Sequence, residues 1–360
     1  MDFKTYNLNQ EYRQGSYTQP GGYPYYGGYS PQGAPYFDPF YEHRQEKKRI
    51  KTLSCVAGLC VLGYIVVQNI IGMIIGFVPQ LREAYLGNPD FQNILGIIFS
   101  ICGVLFPFAL GAAFLKKRGI ETVSSALEAP NDKLYSLCMA AAGFMLCIGV
   151  NFLAGYLTEF IEAIGFSLKD VEYPTPNSAP GWLIYAVEIA IVPPLCEEYA
   201  MRGVVMQPLR KYGEGFAIAM SAMVFAVMHG NLTQVPFAFM AGLIIGYAVC
   251  KTGSLWTGMI IHFLNNAFSV ASEFLLEKVS DVFTQNIIYY GALGVIVLVG
   301  IIACLYLVKS QGPALKPARV ITNLTNRKKT SAYILTIPML LSLAAMIVIT
   351  AEYVTWTGGK

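Results

Sequence analysis

Long apolar runs separated by short charged turns organise this chain, falling near residues 53–78, 93–115, 134–156, 181–202, 215–229, 235–250, 254–276, 288–308 and 332–354. A bilayer-spanning helix needs roughly 20 mostly apolar residues. The pattern therefore predicts an all-α, polytopic transmembrane helical bundle of about eight to nine spans. The runs at 215–229 and 235–250 are short for a full crossing, which predicts tilted, re-entrant or neighbour-shielded segments there. Composition agrees with the pattern: hydrophobic residues make up 55% of the chain and charged residues 13%, with a mean hydropathy of +0.49. That balance excludes an ordinary soluble domain. It points to a lipid bilayer as the surrounding medium, with no nucleic-acid partner expected.

The first 42 residues differ in character, with Gly, Pro and Tyr in stretches such as Gly21-Gly22-Tyr23-Pro24-Tyr25-Tyr26. They show no helical or strand period and read as a disordered tail, not a signal peptide. Four regions follow: a tail over 1–45, amino-terminal transmembrane helices over 46–180, a core over 181–276, and carboxyl-terminal helices over 277–360 with a basic loop at 309–330.

Charge sets the expected orientation, because short cytoplasmic loops are enriched in Lys and Arg. Arg44, Lys47, Lys48, Arg49 and Lys51 precede the first run. Lys116, Lys117 and Arg118 follow the second, Arg210 and Lys211 the fourth, and Lys251 the sixth. The 157–180 loop instead carries Glu159, Glu162, Asp170 and Glu172 against one Lys169. A multi-pass plasma-membrane protein with a cytoplasmic amino terminus and an outer carboxyl terminus is the resulting expectation.

Three polar signatures interrupt the apolar runs: Glu197-Glu198-Tyr199-Ala200-Met201-Arg202, Phe225-Ala226-Val227-Met228-His229 and His262-Phe263-Leu264-Asn265-Asn266. Ionisable groups within membrane helices cost about 2.5–3.5 kcal/mol each on insertion scales, so several together imply use. The chain has 3 His, of which His229 and His262 fall in these signatures. Residues four apart share a helix face, pairing Glu198 with Arg202, Phe225 with His229 and His262 with Asn266. An internal Glu198–Arg202 ion pair leaves Glu197, rotated by about 100°, as the free carboxylate. With a turn at Gly213, Glu197 and His229 each lie about 16 residues away, roughly 24 Å along their helices, and face each other. His262 and Asn266 rise about 13–20 Å from the Gly253 turn, so all four are expected to line one cavity open to the cytoplasmic side.

A Glu, two His and an Asn in a wet intramembrane cavity suit amide hydrolysis without a covalent intermediate. The carboxylate takes a proton from water, an imidazole assists or protonates the leaving amine, and Asn and His donors hold the oxyanion. Pro193-Pro194 opens the helix beside the attacking group. Glu188, Gln68, Asn69 and Asn151 read instead as isolated polar residues that hold helices together. The eight Cys, at 55, 60, 102, 138, 147, 196, 250 and 304, lie in or beside apolar runs without CxxC spacing. They read as small hydrophobes, not a disulfide framework.

The ordered motifs Glu-Glu-x-x-x-Arg, Phe-x-x-x-His and His-x-x-x-Asn resemble the CPBP family, the CAAX prenyl protease and bacteriocin-processing intramembrane glutamic endopeptidases, over roughly residues 181–270. The resemblance implies that Glu197 and His229 activate water and that His262 and Asn266 form the oxyanion hole. It gives Glu198 and Arg202 a supporting role and implies a membrane-associated protein or peptide as substrate. Asn265 is an alternative to Asn266, being three residues from His262. No cofactor is expected. Zn²⁺ held by Glu197, His229 and His262 is the alternative, although no HExxH spacing supports it. Rival readings from other classes are a non-catalytic immunity or peptide-binding membrane protein and a proton-coupled transporter.

Overall fold

A computed structural model describes residues 41–123, 126–169, 174–311, 315–318 and 320–358. The chain forms α1 (Tyr41–Phe77), α2 (Pro79–Gly87), α3 (Pro89–Lys117), α4 (Lys133–Ala163), α5 (Ala179–Tyr212), α6 (Glu214–Met228), α7 (Val235–Thr252), α8 (Leu255–Lys278), α9 (Val282–Gln311), α10 (Asn326–Ile334) and α11 (Ile337–Ala351). Seven helices among the described residues are long and apolar enough to cross a membrane, or eight if the α10–α11 pair, bent by 72°, counts as one span.

That count refines the sequence expectation in two places. The 215–229 run becomes the 15-residue helix α6, too short to cross alone. The 332–354 run breaks where Pro338 opens a new helix, since proline is tolerated in the first turn but not within a helix. Residues 1–40 of the expected tail lie outside the described residues, and 41–45 already belong to α1.

Local chemistry sets the helix ends. Asn88 caps α3 by accepting from the Asp90 and Phe91 amides, Asp132 caps α4 from Tyr135, and Ser178 caps α5 from Gly181. These side chains satisfy amides that a helix start leaves without partners. Gly213 turns the chain between α5 and α6 at φ 119, a conformation open to glycine, and Gly253 ends α7 at φ 71.

Three segments widen into π-helical turns: Ser100–Leu105, Val187–Ile191 and Tyr199–Met206. Each is followed by a proline, at Pro107, Pro193 and Pro208. A proline removes the N–H its helix would otherwise donate backwards, and a locally wider register accommodates the gap.

The helices α3, α6, α7 and α8 pack around α5 and bury its centre. Small residues permit close approach: a Cβ on Gly242 of α7 would sit 3.0 Å from the Ala222 Cβ of α6. Hydrogen bonds gather the turns with basic residues at one end of the bundle. Trp256 Nε1 donates to Leu127 O, Lys251 Nζ to Lys316 O, and Lys329 Nζ to Tyr212 O. At the other end, β1 (Phe166–Leu168) pairs antiparallel with β2 (Val354–Trp356). This puts the loop after α4 and the end of α11 on one face, away from the basic turns.

Candidate active site

The site begins with the break in α5. The Ile189 carbonyl would normally bond to the amide four residues on, or five in a π turn. Those residues are Pro193 and Pro194, and neither has an N–H. Asn266 of α8 fills the gap, donating from Nδ2 to Ile189 O at 2.9 Å. A buried carbonyl left unmatched costs about 1–3 kcal/mol, so the double proline and the position of Asn266 form one feature.

One helical turn further on, Glu198 and Arg202 are both fully buried and pair at 2.8 Å. Arg202 also donates to Gly242 O at 3.2 Å, and its guanidinium lies 4.8 Å from the Phe225 ring centre. The same Glu198 oxygen meets Nδ1 of His262 at 3.0 Å. A carboxylate only accepts, so Nδ1 of His262 carries the hydrogen. The Glu198–Arg202 pair thus fixes the imidazole from behind.

Glu197 takes the opposite role. Its side chain is 24% exposed, and its Oε2 lies 3.8 Å from His262 Nε2, beyond hydrogen-bond length. It makes no hydrogen bond among the described residues. His229 caps the end of α6, with Nδ1 2.9 Å from the Phe225 carbonyl oxygen. Because that oxygen only accepts, Nδ1 is the protonated nitrogen and Nε2 of the neutral ring keeps its lone pair. Phe225 therefore serves both partners, since its ring also stands edge-on to those of His229 and His262, at 4.8 and 5.9 Å.

Glu197, His229, His262, Asn265 and Asn266 all line one cavity of about 430 Å³. The spacing argument at the sequence level thus gathers the expected residues into one place. Asn265 and Asn266 are joined, with Asn265 Nδ2 donating to Asn266 Oδ1 at 3.3 Å. Among the described residues no three His, Cys, Asp or Glu side chains are grouped to hold a metal ion, so the geometry lends no support to zinc on Glu197, His229 and His262.

Asn151, read as a residue that holds helices together, does so by donating from Nδ2 to Asn265 Oδ1 at 3.2 Å, and it also lines the cavity. Its place at the cavity carried no motif signal. The exposed lining residues of the cavity are Asn151, Ser269 and Glu273, in the halves of α4 and α8 away from the basic turns, while Leu209, Leu255 and Val249 are buried towards the basic end. Glu273, which accepts from the Tyr185 hydroxyl, carried no motif signal either; an i+4 step from Ser269 on the α8 face is the trace it leaves.

Residues 179–268 match the family described as type II CAAX prenyl endopeptidase Rce1-like. The membrane-embedded CAAX protease MroQ of Staphylococcus aureus (strain USA300) is 30% identical over 118 residues, covering 30% of this chain and 47% of that protein. The putative membrane peptidase YdiL of Bacillus subtilis (strain 168) is 24% identical over 233 residues, covering 63% of this chain and 91% of that protein. The chain thus spans about half the length of the first relative and most of the second. No solved structure matches the chain.

Proposed function

From the premise that the chain belongs to the CPBP family, through its Rce1-like CAAX protease domain, we propose that it is an intramembrane endopeptidase of the plasma membrane using Glu197 as its base. The single observation behind this reading is the separation of two adjacent carboxylates. Glu198 is fully buried against Arg202 and His262, whereas Glu197 stands without a hydrogen bond in the cavity that His229 and Asn266 also line.

In the proposed reaction a water molecule donates its hydrogens to the Glu197 carboxylate and to Nε2 of His229. As Glu197 takes a proton, the water oxygen bonds to the scissile carbonyl carbon and the carbonyl π electrons move to oxygen. Asn266 Nδ2, held by Ile189 O through one hydrogen, offers its second to that oxyanion. His262 stands beside it, its ring oriented through Nδ1, which donates to Glu198. Collapse of the tetrahedral intermediate breaks the C–N bond, and the proton held by Glu197 leaves with the amine. One oxyanion donor is worth about 2.7–4 kcal/mol, and a positioned base about 10²–10⁴ in rate.

The substrate in this reading is a membrane-associated protein or peptide that enters past Asn151, Ser269 and Glu273. With the basic turns cytoplasmic, as the charge rule favours, that entry lies on the opposite side of the bundle. The experiment is quantitative mapping of new protein termini in membranes carrying wild type or Glu197→Gln at matched levels. Termini that vanish with Glu197→Gln support the peptidase; identical termini with the cellular phenotype retained would overturn it in favour of a binding or immunity role.

A further inference from the structure

Resting on the peptidase reading above, we infer that Asn151 is a positioning residue for the oxyanion donor, acting through a line of three side-chain amides. The line runs from Asn151 Nδ2 to Asn265 Oδ1 at 3.2 Å, from Asn265 Nδ2 to Asn266 Oδ1 at 3.3 Å, and from Asn266 Nδ2 to Ile189 O at 2.9 Å. It joins α4, α8 and the break in α5.

The direction of the line is forced from one end. The oxygen and nitrogen of an Asn amide are told apart by their partners. Ile189 O can only accept, so Asn266 must turn its nitrogen towards it. Its oxygen then faces Asn265, which must donate, and the oxygen of Asn265 in turn demands a donor from Asn151. The cause lies in the sequence: Pro193 and Pro194 withhold both backbone donors that the Ile189 carbonyl would otherwise have. Head-to-tail amides also polarise one another. Each acceptance upstream strengthens the donor downstream, and the last donor is Asn266.

Asn151 lies outside the 179–268 segment that matches the family and outside all three motifs. Its neighbours in the line are more enclosed, with Asn265 buried and Asn266 half-buried, while Asn151 itself is exposed. A substitution at Asn151 therefore disturbs little packing and reaches the proposed chemistry through hydrogen bonds alone. Asp is the informative replacement, because it keeps the shape and removes the donor. Asn265 would then face an oxygen with its own oxygen, and the orientation of the whole line loses its anchor on α4.

The test uses the full-length protein in detergent micelles and the fastest-cleaved member of a quenched-fluorophore peptide library, with Glu197→Gln as the blank. Asn151→Asp and Asn151→Leu are expected to lower kcat about tenfold with KM little changed, as displacement of a catalytic group does, and Asn151→Gln, which restores a donor, to recover most of the loss. In an Asn266→Ala background, itself about 10²–10³ slower, Asn151→Leu is expected to have no further effect on kcat. A merely structural Asn151 would lower both backgrounds equally, and a direct substrate contact would raise KM in both. Either result overturns the inference while the peptidase reading stands. If no library member is cleaved in a Glu197-dependent way, the reading fails and the inference with it.

Discussion

Replacing Arg202 by Ala removes the guanidinium that pairs with the buried Glu198 carboxylate. Both groups are fully buried, and the same Glu198 oxygen that accepts from Arg202 at 2.8 Å also holds His262 at 3.0 Å. Removing one partner of a buried pair leaves an uncompensated charge and costs about 3–5 kcal/mol. The loss is deepened by the hydrogen bond to Gly242 O and the stacking on Phe225, both of which disappear. At about 2–4 °C per kcal/mol for a large domain, the unfolding midpoint should fall by roughly 6–20 °C. The double variant Glu198→Leu with Arg202→Met removes both charges and keeps apolar volume, so it should recover much of that stability. A thiol-reactive fluorogenic maleimide reads the transition directly, because Cys60, Cys147, Cys196 and Cys250 are buried and free. Equal midpoints for wild type and Arg202→Ala, or a double variant as unstable as the single one, would refute the argument.

Gly58→Ala should separate α1 from α11, since the new Cβ would lie 2.5 Å from Met339 N and 2.6 Å from the Pro338 carbonyl carbon; a loss of about 1–3 kcal/mol in the same maleimide assay is expected, and an unchanged midpoint would contradict the packing. At the basic end, burial alone would raise the pKa of Glu214, but the Ala318 amide, the Arg210 hydrogen bond and the charges of Lys251 and Arg210 outweigh it and hold the group below its ordinary 4.5. A carboxylate shifted down stabilises the fold above its ordinary value and loses that contribution as pH falls through the lower one. Hydrogen exchange at Ala318 should therefore stay slow from pH 8 to about 5 and accelerate only below about 4.5; acceleration between pH 8 and 6 would contradict the assignment. Ser269→Cys tests access, since Ser269 is exposed at the cavity rim while no native Cys is exposed. A membrane-impermeant thiol reagent should label it from the face opposite the basic turns, and labelling from the basic face would reverse the entry assigned above.

The spans and the gathering of Glu197, His229, His262 and Asn266 were legible in sequence because both rest on short-range rules. Twenty apolar residues make a crossing, and residues four apart share a face. The same rules separated Glu197 from Glu198, because only one of two adjacent carboxylates can face Arg202. What sequence hid depends on contacts between distant elements. Asn151 lies 114 positions from Asn265, so nothing local marks it as different from Gln68 or Asn69. Which lining residues stay exposed follows from how distant helices pack together, which no periodicity records. The proline pair was visible, but its consequence for Asn266 required knowing which side chain reaches the Ile189 carbonyl. The bend between α10 and α11 likewise sits inside one continuous apolar run, where hydropathy alone sees a single span.

The central claim is that Glu197, and not its buried neighbour, performs the chemistry. It is tested most directly by turnover of the purified protein on one cleaved peptide, comparing wild type with Glu197→Gln and following the maleimide unfolding midpoint of each. The account predicts a fall in kcat of about 10²–10⁴ with an unchanged midpoint, since Glu197 makes no hydrogen bond among the described residues. Turnover retained by Glu197→Gln would contradict it.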